Sequence, residues 1–353
     1  MERMFQDITI QELLELQERR DIQLIDVRSP SEFVDFTIPG SRNIPLFSDE
    51  ERREIGILYK QVSIQAAKEK GLEVVSAKLP AFIRQFAEIP GRKAVFCWRG
   101  GMRSRTTATV LSLMDIHVSR LQGGIRAYRK WVVETLGKKP SLPPCIVIGG
   151  HTDIGKTQML RKLADEGYPV LDLEEMAGHR GSIFGQTGLE ANNQKTFEAL
   201  FVEGILQWKD APFVLVEAES KRIGKVVLPD FLVTAKEAGQ QIILRMPIKQ
   251  RVRHIIEEYK PDLHKEEYIS AFRRIKSRIH TPIARQIEQD LLADRFEEAV
   301  ELLLEYYYDP RYLHAEQNYA LEPIVCKVED IEDAIIRVKT IMDRFYPSKI
   351  KGR

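Results

Sequence analysis

The sequence predicts an α/β protein built as two lobes, each a parallel sheet covered by helices, with a mostly helical extension after the second. Three observations carry this. Short apolar runs ending in polar loops alternate with amphipathic helical stretches in the first part of the chain. At Gly137-Lys138-Lys139-Pro140-Ser141-Leu142-Pro143-Pro144 the alternation stops, because three prolines and a glycine in eight residues favour an extended connection. A second strand and helix rhythm then begins at Cys145. With 353 residues the chain also exceeds what one hydrophobic core usually sustains. The expected divisions are a first domain over 1–136, a linker over 137–144, a second domain core over 145–248, and the helical extension over 249–353, packed on the second domain.

In order, residues 10–19 read as a helix, 23–27 as a buried strand, 94–97 as another strand and 104–113 as a helix. After the linker, strands are expected at 145–148, 168–173, 213–217 and 241–244, consistent with parallel strands joined by helical crossovers. From 249 to 308 the periodicity is helical and the composition rich in Glu, Arg, Ile and Leu. No internal repeat or low-complexity tract interrupts this pattern.

Hydrophobic residues make up 43% and charged residues 30% of the chain, and the formal net charge is +1, so any nucleic-acid surface must be a local patch. The N-terminal residues alternate acids and bases and do not resemble a signal peptide, and no later apolar run is long enough to span a bilayer. A cytoplasmic location is the resulting expectation. The three cysteines, Cys97, Cys145 and Cys326, are far apart, which argues against a disulfide framework and a zinc site.

Cys97 stands apart from the other two. In Val95-Phe96-Cys97-Trp98-Arg99-Gly100-Gly101-Met102-Arg103-Ser104 it follows an apolar strand and precedes a glycine-containing loop and a helix start. That arrangement is expected to turn backbone N–H groups and the positive end of a helix dipole toward the sulfur, with Arg99 and Arg103 nearby. Each effect stabilises a thiolate. A free cysteine is usually a small buried hydrophobe, and Cys145 and Cys326, which lack such a loop, are read that way.

Around this loop the first lobe resembles the rhodanese family. Asp26-Val27-Arg28 with Glu32-Phe33 is similar to one of its segments, and 37–45, Thr-Ile-Pro-Gly-Ser-Arg-Asn-Ile-Pro, to another, with Thr37 where that family usually has histidine. The Cys97 loop falls at the family's sulfur-carrying cysteine, and Leu121-Gln122-Gly123-Gly124-Ile125 resembles its late glycine pair. The resemblance implies a rhodanese-like domain with Cys97 as catalytic nucleophile, Trp98, Arg99, Gly100, Gly101, Met102 and Arg103 as its loop, and supporting roles for Asp26 and Arg28. An arginine six positions after the cysteine also suits a related phosphatase, but that chemistry needs a general acid and 98–102 offer none, so chalcogen transfer ranks first.

The second lobe opens on Gly150-His151-Thr152-Asp153-Ile154-Gly155-Lys156-Thr157, a G-x-x-x-x-G-K-T motif between an apolar run and a helical pattern. Gly150 and Gly155 let backbone N–H groups wrap a phosphate, Lys156 neutralises charge, and the Thr157 hydroxyl can hold Mg²⁺. This predicts a P-loop NTPase-like parallel-sheet domain. Asp153 stands where many P-loops keep glycine, which leaves open whether nucleotide or another phosphorylated ligand binds. Glu217 and Glu219 follow an apolar run as in a Walker B strand, or are solvated strand-end carboxylates.

Two polar, glycine-bearing segments, 172–185 and 217–224, are expected at the carboxyl edge of the sheet, where ligands of open α/β sheets bind. They offer His179, Arg180, Ser182 and Arg222 as second-site candidates beside Glu217 and Glu219. On a probable helix, Arg273, Arg274, Lys276 and Arg278 lie between apolar residues and could meet RNA phosphates, or form an ordinary charged face.

These two segments, with 97–104, 51–61 and Tyr307-Tyr308-Asp309-Pro310, are similar to hallmark segments of the tRNA 2-selenouridine synthases over nearly the whole chain. The resemblance implies a tRNA-modifying transferase, with tRNA as partner and selenophosphate and geranyl diphosphate as co-substrates. Wobble 2-thiouridine would be S-geranylated and then converted to 2-selenouridine. It implies no tightly bound cofactor and leaves Mg²⁺ open. The alternative is a P-loop kinase or NTPase with a regulatory rhodanese domain.

Overall fold

The computed structural model describes residues 5–151, 154–179, 191–259, 263–310 and 320–346. The chain divides into two compact units, Met1–Lys138 and Lys139–Arg353.

The first unit is a five-stranded parallel sheet in the order β1-β5-β4-β2-β3, with β1 at Gln6–Ile8, β2 at Gln23–Asp26, β3 at Arg42–Asn43, β4 at Lys93–Phe96 and β5 at Ser119–Leu121. Strands β2 and β4 pair with Ile25 opposite Val95. Their near-continuous apolar runs reflect a sheet covered on both faces. Helices α1 (Ile10–Glu18), α2 (Pro30–Asp35), α3 (Asp49–Gln61), α4 (Ile64–Ala87), α5 (Met102–Ser112) and α6 (Gly124–Gly137) fill the connections. Reciprocal capping boxes at Thr9 with Glu12 and Ser48 with Glu51 satisfy N–H groups at the starts of α1 and α3. The core gathers Ile25, Val27, Phe82, Phe86, Val95 and Leu111.

At the end of β2 the fully buried Asp26 accepts from Arg28 Nε and Nη2 at 3.0 and 2.6 Å, and from the Thr37 hydroxyl at 3.0 Å. Arg28 also donates to the Phe36 carbonyl. A buried charge pair with this many bonds fixes the path of the chain after β2.

The second unit is also a five-stranded parallel sheet, in the order β12-β11-β6-β8-β7. Strand β6 (Cys145–Gly150), buried at every residue, lies at its centre, followed by α7 (Lys156–Asp165). Strand β7 (Val170–Leu171) is shorter than the 168–173 expected, because the Asp172 carboxylate accepts from Glu175 N at 2.7 Å and starts α8 (Leu173–Ala177). Then come α9 (Gln194–Trp208), β8 (Val214–Glu217), the antiparallel ribbon of β9 (Arg222–Ile223) and β10 (Val226–Val227), α10 (Asp230–Glu237) and β11 (Gln240–Arg245).

Helices α11 (Ile248–Tyr259), α12 (Lys265–Ile275), α13 (Thr281–Leu292) and α14 (Phe296–Leu303), with a π turn at Leu304–Tyr308, bury a core of their own that includes Phe272, Ile287, Leu291 and Leu303. The mostly helical extension over 249–353 includes one strand. The chain returns to the sheet as β12 (Ile324–Lys327), parallel to β11, and then forms α15 (Ile331–Phe345), which packs its apolar face into the core of the sheet unit. An edge strand of four residues, alternately half-buried and exposed, carries too little apolar periodicity to be told from a helix. Among the described residues no helix is long and apolar enough to cross a membrane.

Phe272→Ala empties a fully buried position of the helical core. We expect a loss of about 3–5 kcal/mol in urea unfolding; a loss below about 1 kcal/mol would show that this core is loosely packed.

Candidate functional site

Cys97 follows β4 directly and is 3% exposed. Its Sγ lies 3.2 Å from the Ser104 hydroxyl in the first turn of α5, the hydrogen-bonding partner of the sulfur among the described residues. Among the described residues no backbone N–H group is hydrogen-bonded to the sulfur itself. It is the Cys97 carbonyl that meets N–H groups, accepting from Ile125 N at 2.9 Å, while the Trp98 carbonyl accepts from Arg126 N at 3.3 Å. The sulfur sits at the floor of the loop, and the rim above it is open: Trp98 is 45% and Met102 61% exposed, and Arg99 and Gly101 are exposed as well.

The loop is clamped through Gly124, whose φ of +57° is a conformation L side chains avoid. A Cβ there would collide with the Cys97 carbonyl and lie 2.6 Å from Gly100 N. Arg120 adds a bond to the Gly100 carbonyl at 3.0 Å and is itself held by Asp7 at 2.7 and 2.8 Å.

Arg103, second residue of α5, forks onto Glu32 at 2.5 and 3.1 Å, and Arg52 reaches the same carboxylate at 3.0 Å. Burial alone would raise the Glu32 carboxyl, but Arg103 and Arg52 outweigh it and hold it below its usual range. Burial would lower the Arg103 guanidinium, but Glu32, with the Cys97 sulfur contributing, raises it. Asp7 raises Arg120 against burial, and Cys97 contributes there too. The sulfur thus lies beside a hydroxyl at the N-terminus of α5, with the guanidinium groups of Arg103 and Arg120 in its surroundings. By contrast, burial pushes the Cys145 thiol up to about 11 and also raises Cys326. Both stay protonated near neutrality.

In the second unit, Gly150 closes β6 with φ +136°, and a Cβ there would strike Ile154 and lie 2.5 Å from the Leu244 carbonyl. Gly155 caps α7 in the left-handed conformation. Lys156 Nζ donates to the carbonyls of Gly150 and His151 at 3.2 and 3.0 Å. The Thr157 hydroxyl lies 2.7 Å from Glu174 Oε2 and 2.7 Å from Glu217 Oε1. One hydroxyl has one proton to give, so both carboxylates cannot accept it, and a further proton or a cation must balance the cluster.

The pKa shifts agree. Burial, then Glu174, Asp172 and Glu219, raise the fully buried Glu217 well above its usual range, and its Oε2 has no hydrogen-bond partner among the described residues. Glu219, half-buried, is raised to about 7 by burial and Glu174, against the pull of Lys156 and Lys236. Lys236 is buried, lowered to about 8 by burial against Glu219 and Glu217, and donates to the Glu219 carbonyl at 2.6 Å.

The structure thus joins Lys156, Thr157, Glu217 and Glu219 as the motifs suggest, and adds Asp172, Glu174 and Lys236. Glu174 was visible only as part of a polar edge segment, and Lys236, a lone cation in an amphipathic helix, gave no signal. His179 packs its ring on Gly224 in the β9–β10 turn, where a Cβ would lie 2.6 Å from the ring, and Arg222 is exposed on β9. Arg180, Ser182 and Asp153 lie outside the described residues. Of the basic cluster, Arg273 and Lys276 are held by Glu288 at 3.4 and 2.5 Å, while Arg274 and Arg278 are exposed.

Gly124→Ala is expected to destabilise the first unit by about 2 kcal/mol or more, because both the φ and the Cys97 carbonyl oppose a side chain. Chemical denaturation reads this directly, and a neutral substitution would show that the loop is not clamped here.

Comparison with known proteins bears on both units. Residues 9–130 match the family described as rhodanese-like domain, and residues 143–277 match the tRNA 2-selenouridine synthase AAA domain. The chain is similar to a tRNA 2-selenouridine synthase of Shewanella piezotolerans, 32% identical over 83% of this chain and 88% of that one. It resembles the one of Nitrosomonas europaea at 31%, over 86% and 91%. Another, of Sulfurovum sp., is 31% identical over 82% and 87%. A rhodanese-like parallel sheet, an AAA-type parallel sheet and relatives matched across most of their length lead to one conclusion: this chain belongs to the tRNA 2-selenouridine synthase family.

Proposed function

We propose that the chain converts 2-thiouridine at the wobble position of tRNA to 2-selenouridine by way of S-geranyl-2-thiouridine, using geranyl diphosphate and selenophosphate. The observation that carries this reading is the presence, in one chain of this family, of a hydroxyl-bonded, cation-flanked thiol at a strand end and a P-loop whose lysine and threonine border a carboxylate cluster.

In the first step the sulfur of the base bonds to the geranyl carbon as its bond to the diphosphate oxygen breaks, so negative charge develops on the leaving diphosphate. The N–H groups at the start of α7 and Lys156 are placed to receive that charge, and need no ATP hydrolysis to do so. Thr157, Glu174 and Glu217 suit a hard cation such as Mg²⁺, since the unpartnered Glu217 oxygen and the overcommitted Thr157 hydroxyl would both be satisfied by one. Among the described residues no three acidic, His or Cys side chains form a metal cage, as suits a cation held largely by phosphate oxygens and water. Mg²⁺ there would supply charge neutralisation for the leaving group.

In the second step Cys97 is the nucleophile that delivers selenium: its thiolate takes the phosphoryl group of selenophosphate as the P–Se bond breaks, the freed selenide bonds to the carbon bearing the S-geranyl group as geranylthiol leaves, and water then releases phosphate from the sulfur. Arg103 and Arg120 stabilise the charged sulfur, and the exposed rim of Trp98, Arg99 and Met102 is where the base enters. His179 and Arg222 border the carboxyl edge of the second sheet. Arg274 and Arg278, with Arg273 and Lys276 beside them, are the phosphate contacts for tRNA.

Nucleoside mass analysis of tRNA incubated with both co-substrates tests the assignment. Cys97→Ser should stop selenium incorporation while S-geranyl-2-thiouridine accumulates. Lys156→Ala should slow geranylation about 100-fold or more. Absence of both products from the parent protein, with ATP hydrolysis that survives Cys97→Ser and is abolished by Lys156→Ala, would instead mark a P-loop NTPase with a regulatory first domain.

The cluster also predicts a pH dependence. Because the Glu219 carboxyl is raised to about 7, it holds its proton below that pH, and a cation must displace it. Mg²⁺ binding should therefore tighten as pH rises through about 7 and release protons, measured by calorimetry in buffers of different ionisation enthalpy. A pH-independent affinity without proton release would remove the cation from this cluster.

A further inference from the structure

The Ser104 hydroxyl is used by none of the steps above, although it is the group that touches the sulfur. Ser104 stands in the first turn of α5 and is fully buried. Among the described residues its Oγ has two partners, Cys97 Sγ at 3.2 Å and the Gly101 carbonyl at 3.4 Å. The second lies beyond the usual O–H···O range, and that carbonyl already accepts the first bond of the helix, from Arg105 N at 3.1 Å. The helix therefore does not need this hydroxyl. Serine is also a poorer helix former than alanine, and a buried hydroxyl is costly unless a partner meets it. The guanidinium groups of Arg103 and Arg120 are held by Glu32 and Asp7, and among the described residues neither is hydrogen-bonded to the sulfur.

We propose that Ser104 is a catalytic residue, whose hydroxyl donates to the Cys97 sulfur as that sulfur leaves phosphorus. This rests on the reading of Cys97 as the group that takes the phosphoryl group from selenophosphate. In the closing step of that cycle a water oxygen bonds to phosphorus and the P–S bond breaks. The bonding pair stays on the sulfur as thiolate, phosphate departs as the hydrogen-phosphate dianion, and one water proton passes to solvent. A hydroxyl has one proton to give, and a sulfur that carries a phosphoryl group is a weak acceptor, so before this step the Ser104 hydroxyl turns to the Gly101 carbonyl. As charge returns to the sulfur, 3.2 Å away, the hydroxyl turns to it. The bond is then stronger in the transition state than in the state before it, which is what lowers a barrier. In the opening step the same sulfur loses charge, and that step gains nothing from the bond.

Rapid mixing of the full chain with selenophosphate and S-geranylated tRNA, followed by quenching and intact-protein mass measurement, reads the phosphoryl adduct on Cys97. In Ser104→Ala the adduct should accumulate and its loss should slow about 10-fold or more, as for removal of one charge-assisted hydrogen bond, while selenium delivery in the first turnover stays within about 3-fold of the parent. Ser104→Thr, which keeps the hydroxyl, should restore most of the rate. The melting temperature of Ser104→Ala should lie within about 5 °C of the parent, because the helix gains propensity as the hydroxyl is lost. Ser104→Gly carries the same test should Ser104→Ala fail to fold. Adduct loss within about 2-fold of the parent in Ser104→Ala, or an equal slowing of the first turnover and of adduct loss, overturns the inference alone. If neither the parent nor Ser104→Ala forms an adduct while selenium is incorporated, the phosphoryl-transfer reading of Cys97 itself fails.

Discussion

Backbone meeting backbone without an intervening side chain is the constraint on which both halves of this protein depend. In the first unit Gly124 brings the start of α6 against the Cys97 carbonyl, and in the second Gly150 brings the end of β6 against the Leu244 carbonyl. Each approach lies where a central parallel strand ends. There the following helices present their N-termini, so anion chemistry concentrates at that edge in both sheets. A methyl group at either glycine would push the loop off its support and move the reactive group with it.

The two units then treat charge in opposite ways. Around Cys97 each guanidinium already has a carboxylate, Glu32 for Arg103 and Asp7 for Arg120, so the cations are fixed in place while the sulfur still feels them. Around Thr157 carboxylates are crowded and buried, and one cation beside them, Lys236, is itself weakened by burial. The first setting holds its cations already paired beside a nucleophile of the protein. The second is short of positive charge and fits a ligand that arrives with a cation. These opposed demands suit the proposed reaction, in which a chalcogen nucleophile and a diphosphate leaving group would each be handled by its own unit.

Much of this was legible in the sequence, because the informative features are local. A strand, a glycine turn and a helix start occupy consecutive residues both at Cys97 and at Gly150, and both folds could be read from them. What escaped depends on distance along the chain. Arg103 meets Glu32 across 71 residues and Arg120 meets Asp7 across 113, and neither pairing has a local signature. The Ser104 hydroxyl beside the sulfur had no signal of its own, and the bonds by which the N–H groups of Ile125 and Arg126 hold the Cys97 and Trp98 carbonyls depend on the packing of α6. Strand β12 was lost to its edge position, and Lys236 because a buried lysine looks like a surface one until its neighbours are known.

The return of the chain at β12 makes everything between Arg245 and Ile324 one connection between adjacent parallel strands. The entropy of closing such an excursion grows only with the logarithm of its length, roughly 0.6 kcal/mol for each doubling. A helical bundle with its own core can therefore be grafted between two neighbouring strands, or remodelled, at small thermodynamic expense to the sheet that carries it.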